Sequence, residues 1–387
     1  MSVEFHELRV SSVIVETADC SSFELAVPPR LRDAYRYRAG QHLTFQFPWE
    51  DFTITRCYSL SSCPDVDEAL KIAVKRVEGG RISNWLNDNL KVGDSIMASV
   101  PEGRFVLDPE TRSGAPLFLF AGGSGITPII SLLKSALATT KRSITVLYAN
   151  QDRGSVIYGA ELDQLAAEHS DRVVVQHHLD AEGGYLEPAE VRALLHHIDI
   201  AESYICGPEP FMELIERTLA EAGVHEELVY IERFVSPADP DRVEADAVDV
   251  MSLEAPDGFS LWLDGRSRTV PYQKGKTLLR CAQDAGLNPA HSCESGYCGS
   301  CMAHVSTGKV YMRTHEALSE RDVARGVALL CQSFPNSVEP LELDGDSTSF
   351  RAASGVKSSY SKAWSTLAAA AVFAFMVAGT IVLRLVH

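Results

Sequence analysis

Basic residues are scarce in this chain: 35 Lys and Arg stand against 52 Asp and Glu, for a formal net charge of −17. A polyanionic backbone attracts Lys and Arg, so this balance argues against nucleic acid as a partner. An acidic surface steers basic proteins or serves solubility alone. No secretory leader is expected, since Met1 to Glu7 has no basic start followed by an apolar core. Internal repeats are absent, which excludes solenoids and propellers. Long uncharged apolar runs are absent until the last 25 residues. The length of 387 residues suggests two to three domains.

Cysteine is present in a pattern. Cys293, Cys298 and Cys301 are spaced C-x4-C-x2-C, and Cys331 follows alone within Leu329-Leu330-Cys331-Gln332. This is the ligand spacing of a plant-type [2Fe–2S] cluster. Ser292, Ser295, Gly296, Gly299 and Ser300 crowd the loop with small residues, so that backbone amides can approach the sulfurs. The rival reading is a four-cysteine zinc site, but zinc ribbons bring two CxxC knuckles and only one occurs here. Cys20, Cys57, Cys63, Cys206 and Cys281 remain, and most read as buried small apolar residues rather than disulfides. Around the cysteines, Leu261–Arg266 and Thr269–Tyr272 read as two strands about an Asp264-Gly265 turn. Thr277 then opens a helix stopped by Gly286. Residues 251–345 resemble plant-type ferredoxins, which implies a β-grasp domain carrying the cluster.

The first 111 residues read as short strands, among them Glu7–Glu16, His42–Phe47 and Leu70–Val77, suggesting an antiparallel β-barrel. Arg56-Cys57-Tyr58-Ser59 lies on one of them. An arginine can clamp a diphosphate, a tyrosine two residues on can stack on a ring, and Ser59 can hydrogen-bond a ring nitrogen. Gly79-Gly80-Arg81-Ile82-Ser83 is a glycine turn opening a helix, a place where free amides bind phosphate; Ser83 can equally be an N-cap. Residues 112–235 change character. The apolar strand Leu117–Ala121 runs into Gly122-Gly123-Ser124-Gly125-Ile126-Thr127-Pro128 and then an apolar-striped helix. Further strands at Ser143–Ala149, Arg172–Gln176 and Ser203–Cys206 alternate with helical segments, indicating a parallel α/β sheet. A glycine-rich turn between strand and helix is a dinucleotide site.

Together these motifs resemble the ferredoxin–NADP reductase superfamily. The resemblance implies that Arg56, Tyr58, Ser59, Gly80 and Ser83 bind a flavin, with Lys75 and Val77 on the strand beside its ribityl chain. It implies that Gly123, Gly125 and Thr127 bind the pyridine nucleotide, with Cys206-Gly207-Pro208 near the nicotinamide and Phe234 stacking at the flavin. Ser59 and Cys206 then frame the hydride-transfer site. The domain order resembles reductase components of the 3-ketosteroid 9α-hydroxylase and phenylacetyl-CoA monooxygenase type. FAD is favoured over FMN by that resemblance. Asp152 favours NADH and Arg153 favours NADPH, so the choice stays open.

The segment 236–250, rich in Pro, Ala and Asp, reads as a linker that lets the ferredoxin domain move. A Ser-rich second linker, 346–362, leads to 363–384, which has the length and apolarity of a transmembrane helix. Trp364 suits an interface, and Arg351, Lys357 and Lys362 precede the run. The alternative is a buried or oligomerisation helix. The expectation is a single-pass anchor in the cell membrane with cytoplasmic catalytic domains. The expected activity is an NAD(P)H-dependent reductase component feeding an oxygenase, either a membrane di-iron hydroxylase or desaturase or a Rieske-type hydroxylase. A redox sensor and a membrane quinone reductase are the competing readings.

Overall fold

Apolar–polar alternation over the first hundred residues produces six antiparallel strands: β1 (Phe5–Thr17), β2 (Cys20–Ala26), β3 (His42–Trp49), β4 (Phe52–Ser59), β5 (Leu70–Lys75) and β6 (Ser95–Ser99). The computed structural model describes residues 4–107, 114–195, 201–234 and 248–346. The strands run in the order β4-β3-β6-β1-β2-β5, and a bridge between Leu60 and Ile72 brings the two ends together into a barrel. Leu8, Phe23, Leu43, Phe45, Ile54 and Ile72 fill it, and helix α1 (Arg81–Asn89) adds Ile82 and Leu86. The β5 strand ends at Lys75, so Val77 lies beyond it in the turn to α1, not on the strand. After Glu78, Gly79 and Gly80 divert the chain, and Gly79 adopts a positive φ of 67°.

The second domain is a parallel sheet of β7 (Leu117–Gly122), β8 (Ile144–Asn150), β9 (Val173–Leu179), β10 (Glu202–Gly207) and β11 (Val229–Arg233), ordered β11-β10-β7-β8-β9. Its central strand is apolar throughout because both faces are covered. Leu117, Leu119 and Ala121 pack under α2 (Ile126–Thr139) and α3 (Gly159–Glu168). Phe118 and Phe120 face the opposite way, toward α5 (Pro188–Leu194) and α6 (Glu209–Glu221); a one-turn helix, α4 (Asp180–Gly183), follows β9. The first of these cores continues into the barrel through Cys20, Ala39, Ala73 and Phe105. Tyr158 seals that boundary by hydrogen bonds of 2.8 Å to Ser22 and Ser61.

The third domain comprises β12 (Gly258–Leu263), β13 (Arg266–Pro271), α7 (Leu278–Asp284), β14 (Met302–Thr307), β15 (Val310–Met312), α8 (Glu320–Ala324), β16 (Val327–Leu329), β17 (Ser333–Pro335) and β18 (Leu341–Asp344). Its main sheet has the order β13-β12-β18-β14-β16, with β12 and β18 parallel. Asp264 and Gly265 both take positive φ, 53° and 70°, as a two-residue primed hairpin turn requires. The turn falls where the sequence places it, with β12 ending at Leu263 and β13 beginning at Arg266. Thr277 caps α7 by accepting the Arg280 N–H at 3.3 Å, and Gly286 follows with φ 78°.

No helix among the described residues is long and apolar enough to cross a membrane. The expected transmembrane segment, 363–384, lies outside the described residues, as do the linker 346–362 past Asp346 and most of the linker 236–250.

Candidate functional site

One cavity of about 420 Å³ lies where the three domains meet. Its barrel wall carries Arg56, Tyr58, Ser59 and Lys75, and the turn into α1 adds Val77, Gly80 and Ser83. The second domain contributes Ser124, Thr127, Glu232 and Phe234. The third domain contributes Cys293, Ser295, Tyr297 and Cys298. Residues predicted to bind a flavin, a pyridine nucleotide and a metal cluster therefore share one space.

The Gly79-Gly80 turn leads directly into α1. Gly80 is the residue before α1 and makes no side-chain cap. Ser83 is not the N-cap. It sits inside the first turn, where its Oγ accepts the Val77 N–H at 3.1 Å and fixes the loop. The first N–H groups of α1 are left without intrahelical partners, as at any helix start.

The second glycine loop is shaped by close approach. Gly123 has φ +52°, a left-handed conformation. A Cβ on Gly125 would lie 2.1 Å from the Cys206 carbonyl oxygen, so only glycine lets this loop press on β10. A Cβ on Gly207 would lie 3.0 Å from the Gly122 backbone. Thr127 donates to the Ser124 carbonyl at 3.1 Å and holds the turn. Pro208 precedes α6 as its N-cap residue. Cys206 is fully buried and does not line the cavity, whereas Ser59 does; burial pushes the Cys206 thiol well up. The register partner of Cys206 on β11 is Glu232, which does line the cavity.

Glu232 was not picked out by sequence reasoning. Burial raises its carboxyl pKa to about 7, partly offset by His42, whose Nδ1 is 3.8 Å from Oε1. The hint lay in Glu232-Arg233-Phe234, a charged pair ending an otherwise apolar strand. Asn150, at the end of β8, is also buried with neither amide atom partnered among the described residues. The side chain of Asp152 accepts the Ser155 N–H at 3.0 Å, and Arg153 lies 3.4 Å from Glu182. Both residues thus have local partners, and neither fixes the choice of nucleotide.

The cluster loop shows the amide pattern a thiolate-held centre needs. The N–H groups of Ser295 and Tyr297 each point at Cys293 Sγ at 3.4 Å, and the Cys293 N–H points at Cys298 Sγ at 3.5 Å. The sulfurs fall into two close pairs, Cys293 with Cys298 and Cys301 with Cys331. Two pairs suit two irons, each taking two thiolates. His42 is 2 % exposed, and neither ring nitrogen has a hydrogen-bond partner among the described residues; its ring lies beside the Cys298 sulfur. None of the nine cysteines forms a disulfide. The residues present fit the cluster.

Comparisons with known proteins agree domain by domain. The family described as "Oxidoreductase FAD-binding domain" matches residues 7–107, "Oxidoreductase NAD-binding domain" matches 119–217, and "2Fe-2S iron-sulfur cluster binding domain" matches 262–336. The ferredoxin reductase component of 3-ketosteroid-9-alpha-monooxygenase from Mycobacterium tuberculosis is 39% identical over 338 residues, covering 86% of this chain and 93% of that protein. This chain belongs to the reductase components of oxygenase systems. A component of the 1,2-phenylacetyl-CoA epoxidase of Escherichia coli is 31% identical over 346 residues, covering 86% of this reductase and 95% of that component. Among solved structures, phthalate dioxygenase reductase matches with a TM-score of 0.55 and 27% identity, covering 88% of this reductase and 98% of that chain. The reductase therefore uses FAD, a [2Fe–2S] cluster and NAD(P)H, and passes electrons to an oxygenase.

Proposed function

We propose that this reductase holds FAD in the 420 Å³ cavity and delivers its electrons, through Cys293 and Cys298, to an oxygenase at a membrane. The observation that carries the first part is the shared wall: the flavin motif and two cluster cysteines line one space. In this reading Arg56 and the amides around Gly80 and Ser83 bind the flavin's diphosphate, and Tyr58 packs on its ring. Ser59 and Glu232 hold hydrogen bonds at the hydride-transfer position. Gly123 and Gly125 let the nucleotide's phosphates approach backbone, and Phe234 covers the flavin until the nicotinamide arrives. When bound, the flavin accepts a hydride and releases electrons singly to the cluster. The protein's part is placement and exclusion of water.

The membrane address rests on residues 363–384, long enough and apolar enough to span a bilayer core of about 30 Å. Arg351, Lys357 and Lys362 on the near side favour a cytoplasmic body. The proposed acceptor is a membrane di-iron hydroxylase or desaturase; a Rieske-type hydroxylase acting on a membrane-soluble substrate is the alternative. The oxygenase systems of the relatives support an oxygenase in either case. Removing 363–387 is expected to move the protein from the membrane to the soluble fraction, and unchanged fractionation contradicts the anchor. A pull-down from detergent-solubilised membranes then identifies the acceptor: recovery of a quinone-binding complex instead of an oxygenase or desaturase overturns the proposal.

A further inference from the structure

Gln332 follows the last of the four cysteines, between β16 and β17. A glutamine between two short strands ordinarily turns to water, yet Gln332 is only 6 % exposed. A polar side chain this deep needs acceptors for its amide hydrogens, because a buried donor left without one is costly. It has two. Its Nε2 donates to the Glu294 carbonyl oxygen at 3.0 Å and to Cys331 Sγ at 3.7 Å, the longer reach that sulfur's radius allows. An amide NH2 group carries two hydrogens, so the count closes. The rest of the residue is fixed as well. Its N–H donates to the Leu329 carbonyl at 2.9 Å, and its carbonyl accepts the Arg313 N–H at 3.0 Å. Its stem lies over the cluster loop, where a Cβ on Gly296 would come within 2.9 Å of Gln332 Cγ.

The orientation of the amide follows from its neighbours. The Glu294 carbonyl can only accept, and a cysteine sulfur bound to iron has lost its hydrogen and can only accept. The NH2 end of Gln332, not its carbonyl end, therefore faces both. The two acceptors come from distant parts of the ligand set. Glu294 lies in the turn between Cys293 and Cys298, whereas Cys331 arrives after β16. Glu294 also takes a φ of 52°, a left-handed conformation that a non-glycine residue keeps only when its surroundings hold it. Resting on the reading of the four cysteines as cluster ligands, we propose that Gln332 is a positioning residue that clamps the Cys293–Cys298 turn to Cys331 and donates a hydrogen bond to the Cys331 thiolate, raising the cluster's affinity for the electron supplied by the flavin. No bond of Gln332 is made or broken, and it keeps both hydrogens in both redox states. The reduced cluster carries one more negative charge, so a fixed donor to a ligand sulfur stabilises it more than the oxidised one.

The test is an anaerobic redox titration of the full-length protein, following the reduced cluster by electron paramagnetic resonance and the flavin by absorbance. Gln332→Met keeps the length of the side chain and removes both hydrogens. It is expected to weaken the reduced state about fivefold, or about 40 mV at 59 mV per tenfold for one electron. Gln332→Glu keeps the shape but sets an acceptor against the thiolate, and is expected to lower the potential at least as far. Gln332 does not line the cavity, so the flavin potential is expected to stay at its wild-type value in both. Iron is expected to leave Gln332→Met for a chelator several-fold faster than it leaves wild type. If neither variant retains the cluster, the wild-type protein decides: with 15N in its glutamine side-chain amides, the reduced cluster is expected to show hyperfine coupling to an amide nitrogen. A wild-type cluster potential in Gln332→Met, a fall shared equally by flavin and cluster, or no glutamine-nitrogen coupling overturns the donor role, and unchanged iron release overturns the clamp. Absence of any cluster signal in the wild-type protein instead overturns the ligand reading on which the proposal rests.

Discussion

Glu232 is a largely buried carboxyl group at the cavity wall, its side chain 17 % exposed. In the folded protein it takes up a proton below about 7, and in the unfolded chain only below its ordinary value near 4.5. Across that window the folded state holds the extra proton, so stability is greatest at the acid end and is lost as pH rises through 7. Glu232→Gln removes this contribution. Its Tm is expected to vary less than wild type's between pH 4.5 and 7, and parallel Tm curves would contradict the buried, proton-holding carboxyl. Such a residue is hard to read from sequence. Val229-Tyr230-Ile231-Glu232-Arg233 looks like a strand ending in solvent. Only the pairing of β11 with β10, which sets Glu232 beside Cys206, turns it inward. The cysteine ligands are the opposite case, because their chemistry is fixed by local spacing.

Elements show the same division. The β7–α2 turn was legible because a glycine-rich link from an apolar strand to a helix has few other uses. What the sequence could not show is why Gly125 is glycine: its missing Cβ is the space that the Cys206 carbonyl occupies. Gly125→Ala is expected to cost about 1–3 kcal/mol, as overpacking generally does. It is also expected to weaken pyridine-nucleotide binding, read as a right-shifted titration of flavin bleaching. Unchanged stability and unchanged affinity would show that the loop does not need to touch β10. Strand ends were less legible than strand existence. The end of β5 and the start of β13 moved by two and three residues, since turn chemistry rather than apolar pattern decides where pairing stops.

At the scale of the whole molecule, each domain was readable from its own motif, but their docking was not. The contact between Thr44 and Ser292 joins residues 248 positions apart, beyond any local pattern. A second contact lies between α8 and the nicotinamide domain. Arg321 reaches Glu216 at 2.8 Å, and both Arg321 and Arg325 bind Glu226. Arg104 adds a hydrogen bond to the Gly345 carbonyl at 3.1 Å. The ion pairs are partly exposed, so each contributes about 0–1 kcal/mol. Docking held by such bonds is releasable, and a coil of the length of 236–250 spans roughly 20 Å. Raising salt to 1 M shortens the Debye length to about 3 Å. Cluster reduction is then expected to slow several-fold while flavin reduction by NADH or NADPH does not, and Arg321→Ala with Arg325→Ala is expected to mimic the effect at low salt. Equal salt dependence of the two steps would contradict an electrostatic latch.

The central claim is that electrons enter at the flavin and leave through four cysteines in one chain. Anaerobic rapid mixing of the purified protein with one equivalent of NADH or NADPH, read by absorbance and electron paramagnetic resonance, tests it most directly. The wild-type protein is expected to bleach its flavin first and then develop the signal of a reduced [2Fe–2S] cluster. Cys298→Ser is expected to bleach its flavin and develop no cluster signal. Failure of the flavin to bleach in the wild-type protein, or an undiminished cluster signal in Cys298→Ser, would contradict the account.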